Sequence, residues 1–364
     1  MDFTHTDTRR MLADTVERYL RDKYPLAARV EAGNSDAGFQ PEHWEGMAEL
    51  GVFAALFTED QGGFGGEGFD IAVVFEELGK RLVNEPVMDG ALVPGAILAA
   101  AGHSDAVENI IGGAARYALA AEEPHALYDL TEVETTASGT GDSVTLSGRK
   151  TVVRSASGAS GYIVSARGGA GISLYLVAAD ASGITTRDYT TVDGGRASEL
   201  TFADTPATLL VEDGAAALGD ASARAIVAIS AEALGIMQTI REMTIEYLRT
   251  RKQFGVVIGQ FQALQHRTAE MLLEIEQARS AVINAAAALD KPAGERDRIM
   301  AATKFAIGRI GRLVAEESIQ LHGGIGMTWE YDLGHFAKRL IMIDHEWGDQ
   351  DFHLTRFIAL GKAA

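Results

Sequence analysis

What most restricts this chain is a double change of texture. Up to about residue 114, and again after about residue 213, apolar residues recur at helical spacing in long blocks. Between them, over 115–212, the chain is rich in Thr, Ser, Val and Gly, in short runs broken by turns. A four- to eight-residue run of β-branched residues bounded by glycines suits a strand and is too short for a stable helix. The order helices, strands, helices predicts an α+β chain in three parts: an N-terminal helical domain over 1–114, a β domain over 115–212 and a C-terminal four-helix bundle over 213–364.

In the first part, Met11, Val16, Tyr19 and Leu20 recur at helical spacing, and Trp44, Met47, Leu50 and Val52 begin a second amphipathic stretch. Gln61-Gly62-Gly63-Phe64-Gly65-Gly66 must be a turn, because so many glycines cannot hold a helix. Phe69 to Leu82 resumes the helical period and carries Glu76-Glu77-Leu78-Gly79. In the middle, strands are expected around Ser143–Leu146, Gly161–Ser165, Ile172–Val177 and Glu199–Phe202, with turns at Gly139–Asp142 and Gly168–Gly171. Helices are then expected over Ala221–Arg249, from Phe261 through Ala278, over Glu295–Leu321, from Thr328 to about His345 and over Asp351–Leu360. Long helices joined by short loops form a bundle, with no β-sheet in the last third.

The chain has no cysteine, which excludes disulfides, thiolate metal sites and a thiol nucleophile; no metal is expected. A formal net charge of -19 argues against nucleic-acid binding, which needs basic patches to neutralise phosphate. Met1-Asp2-Phe3-Thr4-His5 has neither the basic nor the apolar region of a signal peptide, and Gly90 to Gly102 is too short to span a bilayer. A cytoplasmic protein without a membrane partner is the expectation.

Two stretches of the last third are specific. The first is Arg251-Lys252-Gln253-Phe254-Gly255, with Ile258, Phe261-Gln262, Gln265 and Ala269-Glu270-Met271. The second is Gln320-Leu321-His322-Gly323-Gly324-Ile325-Gly326, followed by Glu330-Tyr331. Together they resemble the signatures of the acyl-CoA dehydrogenase family. Glu59–Gly65 followed by Glu76–Gly79, and Leu146-Ser147-Gly148-Arg149-Lys150, are similar to its N-terminal domain and to its β-domain core strand. The resemblance implies the family's fold, FAD as cofactor, an acyl-CoA thioester as substrate, electron-transfer flavoprotein as acceptor and a tetrameric assembly. In the family, the arginine and the Gln-x-x-Gly-Gly element reach across a subunit interface to a neighbour's FAD. By resemblance Arg251, Phe254, Gln262, Gln320, Gly323 and Gly324 take those roles. The chemistry agrees: a guanidinium presents several donors to a phosphate, a glycine pair admits a ligand close to the backbone, and a glutamine both donates and accepts.

The catalytic half is altered. The family's reaction needs a carboxylate to take the α-proton. Ungapped counting from Gln320 puts Trp347 at the position of that base, with Glu346 one residue earlier. Counting for the alternative site on the first helix of the bundle gives Ala225, with Glu232 two turns on. Beside the flavin the family has a Trp and a Thr; here Val152 and Arg154 take those places, and Glu122-Glu123-Pro124-His125-Ala126 replaces a Gly/Ser-rich loop. The tail from Gly334 to Leu354 resembles the small subunits of heteromeric members such as pimeloyl-CoA dehydrogenase. This predicts a small, base-lacking subunit that completes the FAD site of a homologous large subunit, with Glu346 facing solvent or an interface. The alternatives are a self-sufficient enzyme using Glu346 as base and a flavin-free structural homologue.

Overall fold

The computed structural model describes residues 6–362, except 142, 169 and 170. The reading of Met1–His5 and the tips of the turns at Gly139–Asp142 and Gly168–Gly171 lie outside the described residues. The chain divides into two compact units. One gathers the chain up to Ala27, Gly68–Val83 and everything from Ile226; the other holds Ala28–Glu67 and Asn84–Ala225.

In the first unit, α1 (Asp7–Lys23) begins at Thr6, whose Oγ accepts the Arg9 amide at 3.3 Å; Asp7 in its first turn and Arg21 and Lys23 in its last complement the helix dipole. Its buried stripe is Leu12, Val16 and Leu20, spaced by four. Val16 and Leu20 lie on it as expected, whereas Met11 is 69% exposed and Leu12 takes its place. Arg9 Nε donates to Asp70 at 2.7 Å on α2 (Gly68–Lys80).

The motif Glu76-Glu77-Leu78-Gly79 has a packing reason. Helix α3 (Gly214–Thr250) crosses α2 so closely that a Cβ at Gly79 would lie 2.2 Å from the Glu232 carbonyl, and one at Gly235 would lie 2.0 Å from the Glu76 carbonyl. Only paired glycines allow these backbones to touch. Gln238 locks the crossing by donating to Glu76 at 2.7 Å.

The bundle continues with α4 (Gln262–Ala288), α5 (Ala293–His322), α6 (Leu333–Asp344) and α7 (Gln350–Lys362). Helix α5 is central and packs against α4, α6 and α7. Helix α6 starts five residues later than expected, because residues 328–332 form turns in which the Tyr331 amide donates to the Thr328 carbonyl at 3.4 Å and the Gly334 amide to the Tyr331 carbonyl at 3.3 Å. By length and composition α3 could cross a membrane, but 83% of its most apolar window is buried within the protein, as befits a core helix.

The second unit carries the sheet. Strands β1 (Tyr117–Ala120), β2 (Thr136–Ser138), β3 (Val144–Arg154), β4 (Gly161–Gly168), β5 (Gly171–Ala178), β6 (Ile184–Thr190) and β7 (Arg196–Val211) form one sheet. Because β5 pairs with both β7 and β4, the path β4-β2-β3-β7-β5 returns on itself as a small barrel, with β1 beside β4 and β6 beside β7. Leu146, Val153, Val164, Val177, Leu200 and Phe202 fill its interior. Closure removes the exposed strand edges that an open sheet would leave.

One expectation is corrected. The last third does contain a sheet, though only a hairpin of two-residue strands: β8 (Lys252–Gln253) pairs with β9 (Val256–Val257). Its turn residues Phe254 and Gly255 have φ of 53° and 80°. Positive φ at both turn residues is what a two-residue hairpin needs, so the motif Gln253-Phe254-Gly255 encodes a turn.

Candidate functional site

In the β unit, Lys150 is wholly buried, and its ammonium donates to Glu123 at 2.6 Å and to Ser165 Oγ at 2.8 Å. Burial lowers its pKa to about 8, against the pull of Glu123. Glu123 also accepts the amides of Glu134 at 2.7 Å and Thr135 at 3.0 Å. The group is closed on itself and pins the segment after β1 to β3. Two residues on, β3 breaks register between Lys150 and Val153; Ser155 stands at φ of 61° and Val152 at 50°, which is rare for a β-branched residue. Val152, Arg154 and Glu122 all act on Tyr189 of β6, whose phenol burial pushes up first of all.

The two motifs of the last third meet in the bundle unit. Helix α3 ends where the Arg251 amide donates to the Tyr247 carbonyl at 2.8 Å. The Tyr247 ring stacks on His322, with centroids 4.5 Å apart and planes 27° apart. His322 is the last residue of α5, immediately before Gly323. One aromatic contact thus ties the end of α3 to the end of α5, some seventy positions apart in sequence. Gly323 turns out of the helix at φ 67°, and beyond Gly323 and Gly324 a Cβ would meet nothing within 4 Å.

Around this corner the expected residues are bare. The Arg251 side chain is exposed and has no hydrogen-bond or ion-pair partner among the described residues; Gln262, the first residue of α4, and Gln320 are exposed as well. Phe254 is 91% exposed, with its ring edge-to-face against that of Phe261, 6.2 Å between centroids. An exposed aromatic on left-handed backbone is unfavourable in isolation and becomes favourable when something covers it. A free guanidinium, an open glycine corner, two exposed glutamines and a bare aromatic suit a ligand with a phosphate and a flat ring. That donor set fits the FAD half-site expected here.

Glu346 stands elsewhere, in the first turn beyond α6. It is 2% exposed and clasped by Arg339, whose Nη1 and Nη2 donate to it at 2.5 and 3.3 Å. The expectation that it faces solvent or an interface is corrected: it is buried against its own chain. Arg339 also donates to both oxygens of Glu232 at 2.6 and 2.9 Å. The two acids weighed as candidate bases therefore share one guanidinium. A carboxylate whose oxygens are held by a bidentate partner is not free to swing toward a substrate.

The backbone after Glu346 is locked as well. Lys304, buried with its pKa lowered to about 8 by desolvation, donates to the carbonyls of Asp344 at 3.1 Å and Gly348 at 2.7 Å. Trp347 sits at φ 58°, and its carbonyl accepts from His353 Nε2 at 2.8 Å. Burial lowers the His353 pKa to about 4. A His kept neutral by the fold contributes stability that is complete above its ordinary value of about 6.5 and is lost as pH falls through the lowered one. The urea midpoint should fall between pH 6.5 and 4, by the equivalent of about 2–3 kcal/mol for this group. His353→Gln should flatten that slope; an equal slope in both proteins would remove His353 from the account.

Comparison with known proteins identifies the family. Three segments match the acyl-CoA dehydrogenase N-terminal domain (residues 6–105), middle domain (residues 118–205) and C-terminal domain (residues 214–354). The chain belongs to the acyl-CoA dehydrogenase family. The acyl-CoA dehydrogenase IpdE2 of Mycobacterium tuberculosis is 30% identical over 345 residues, 92% of each chain. The Tcur3481–Tcur3483 steroid ACAD superposes with a TM-score of 0.91 at 28% identity, covering 98% of this chain and 99% of its own. The ChsE4–ChsE5 complex of Mycobacterium tuberculosis matches in fold, with a TM-score of 0.89 at 23% identity over the whole of both chains. Members of the family are FAD-binding oxidoreductases.

Proposed function

We propose that this chain is the small, base-lacking subunit of a heteromeric acyl-CoA dehydrogenase. It lends Arg251, Phe254, Gln262, Gln320, Gly323 and Gly324 to an FAD held mainly by a homologous large subunit, whose carboxylate takes the α-proton of the acyl-CoA. FAD supplies the hydride acceptor, and electron-transfer flavoprotein relieves it. In this reading 1–114, 115–212 and 213–364 act as three domains, the assembly is a cytoplasmic tetramer of two kinds of chain, and the substrate is a steroid side-chain or dicarboxylyl thioester. The two-component name of the Tcur3481–Tcur3483 steroid ACAD supports both the pairing and the substrate class.

Each residue of this chain has a part. Arg251 neutralises phosphate, the Gly323–Gly324 corner brings backbone close to the ligand, Gln320 and Gln262 donate and accept, and Phe254 covers a flat ring. The observation that carries the proposal is the fixing of Glu346, 2% exposed, by Arg339 seven residues earlier in the chain. A base must reach the α-carbon directly, and small displacements lose most of its effect. The chain's own flavin side supports the same reading: Arg154 and Glu122 bring charges to places where the family has a small hydroxyl and a Gly/Ser-rich loop.

The test is Glu346→Gln in the chain co-expressed with its large subunit. Turnover should stay within about threefold of native, a change in barrier below 1 kcal/mol. Removal of a working base lowers turnover by on the order of 10²–10⁴. A loss of that size, with flavin bound and the assembly intact, would make this a self-sufficient enzyme instead.

A further inference from the structure

His322 is 3% exposed at the end of α5. Its Nδ1 lies 2.8 Å from the Ser318 carbonyl, which only accepts, so Nδ1 carries the hydrogen. Nε2 then holds the lone pair and makes no hydrogen bond, although the Met243 carbonyl faces the imidazole and favours its charged form. The ring is stacked on Tyr247 from one side and meets Tyr331, tilted at 52° with centroids 5.3 Å apart. Its neighbours on α3 lead directly to Arg251; its neighbours in sequence are Gly323 and Gly324.

We propose that His322 is a positioning residue for the lent half-site: as a neutral ring between Tyr247 and Tyr331 it holds the Arg251 end of α3 in register with the Gly323–Gly324 corner, and its protonation releases that register. The inference rests on the reading of these residues as a cofactor half-site only for what the corner binds; the clamp itself is a property of this chain.

The electrostatics agree. Burial holds the imidazole below its ordinary pKa, outweighing the carbonyls of Ser318 and Met243, which favour the charged form. The titratable groups facing it are phenols, Tyr247 on α3 and Tyr331 before α6; Asp332 acts on Tyr331, and no charged side chain among the described residues acts on the imidazole. The stabilising neutral state is thus complete above about pH 6.5 and lost as pH falls through the lowered value. A proton on Nε2 creates a buried cation with no counter-charge, and the ring must leave its seat or strain it.

Hydrogen–deuterium exchange of the full chain at pH 7.5 and 5.5, normalised to intrinsic rates, reads the clamp over residues 320–331. Native protein should lose protection there at pH 5.5, by up to the tenfold that an ordinary imidazole in the opened state allows. His322→Phe, which keeps a ring but no proton, should hold it; His322→Gln is the second non-titrating variant should Phe not be accommodated. Protection independent of pH in the native chain, or lost alike in the variants, overturns the proposal. FAD retention by the co-expressed assembly is the separate readout. Retention that falls with the same acid dependence and becomes flat in His322→Phe supports the clamp acting on the half-site. Exchange that behaves as expected while native assembly holds no flavin at pH 7.5 upholds the clamp and overturns the half-site reading.

Discussion

Arg339→Met should be the most destabilising single change in the bundle, lowering stability by about 3–5 kcal/mol, the range for breaking a buried ion pair. Its guanidinium lies between Glu232 of α3 and Glu346 beyond α6, with side-chain exposures of 12% for Arg339, 12% for Glu232 and 1% for Glu346. Removing the cation leaves two acids close together in a poorly hydrated place. Each has lost the Arg339 guanidinium, and each now repels the other. The asymmetry matters here: an intact buried triad adds little over an apolar cluster of the same shape, whereas a broken one is strongly unfavourable. Neutralising the acids should therefore restore much of the loss. Arg339→Met combined with Glu232→Gln and Glu346→Gln should unfold in urea at a higher concentration than Arg339→Met alone. Urea midpoints for native, single and triple variants give the answer at pH 7.5. Equal midpoints for native and Arg339→Met would show that this triad contributes no net stability and that the loop at Glu346 is held by Lys304 and His353 instead.

That triad also marks the limit of what the sequence discloses. Glu346 and Glu232 could be picked out because they stand beside places where the family carries a base, but their common partner could not. Arg339 is seven positions from one acid and 107 from the other, a relation that exists only after α3 and α6 have packed. The strands were legible where burial alternates or runs continuously, as in β4 and β5. β1, only four residues long, was not, nor was the mostly exposed β6, Ile184-Thr185-Thr186-Arg187-Asp188-Tyr189-Thr190, whose side chains give no period. The hairpin at Phe254-Gly255 lacked the Asn-Gly or Asp-Gly signal of a tight turn. Phe254 accepts the strained backbone there without any gain visible inside the chain. His322 lay within a motif already singled out, yet its signal is three-dimensional: a buried ring nitrogen without a hydrogen bond between two tyrosines. The glycine of Glu76–Gly79 was read as a family mark, and packing gives it a cause in the contact of α2 with α3, where Gly235 is its counterpart.

Arg251→Ala should lower the FAD content of the assembled enzyme more than any other single change outside the large subunit. A hydrogen bond to a charged group contributes about 1.5–3 kcal/mol, so the loss corresponds to flavin binding weaker by roughly 10- to 100-fold. The geometry makes this a clean substitution. Arg251 sits beyond the end of α3, its side chain exposed and without an internal partner among the described residues, while only its backbone holds the helix end and the start of the hairpin through Tyr247 and Ile258. Truncation to Ala therefore leaves the fold and the Tyr247–His322 stack untouched and removes only what the side chain offers outward. Arg251→Lys should recover part of the binding, because an ammonium keeps the charge but lacks the planar fork that meets two phosphate oxygens at once. The deficit should widen with added salt in Arg251→Lys, where a lone charge remains, more than in Arg251→Ala, where none does. Flavin content per assembly, read from the visible spectrum after gel filtration at two salt concentrations, decides the matter. Full occupancy in Arg251→Ala would mean that this guanidinium meets some other anion, and the whole assignment of the Arg251–Gly255 motif to the cofactor would fall with it.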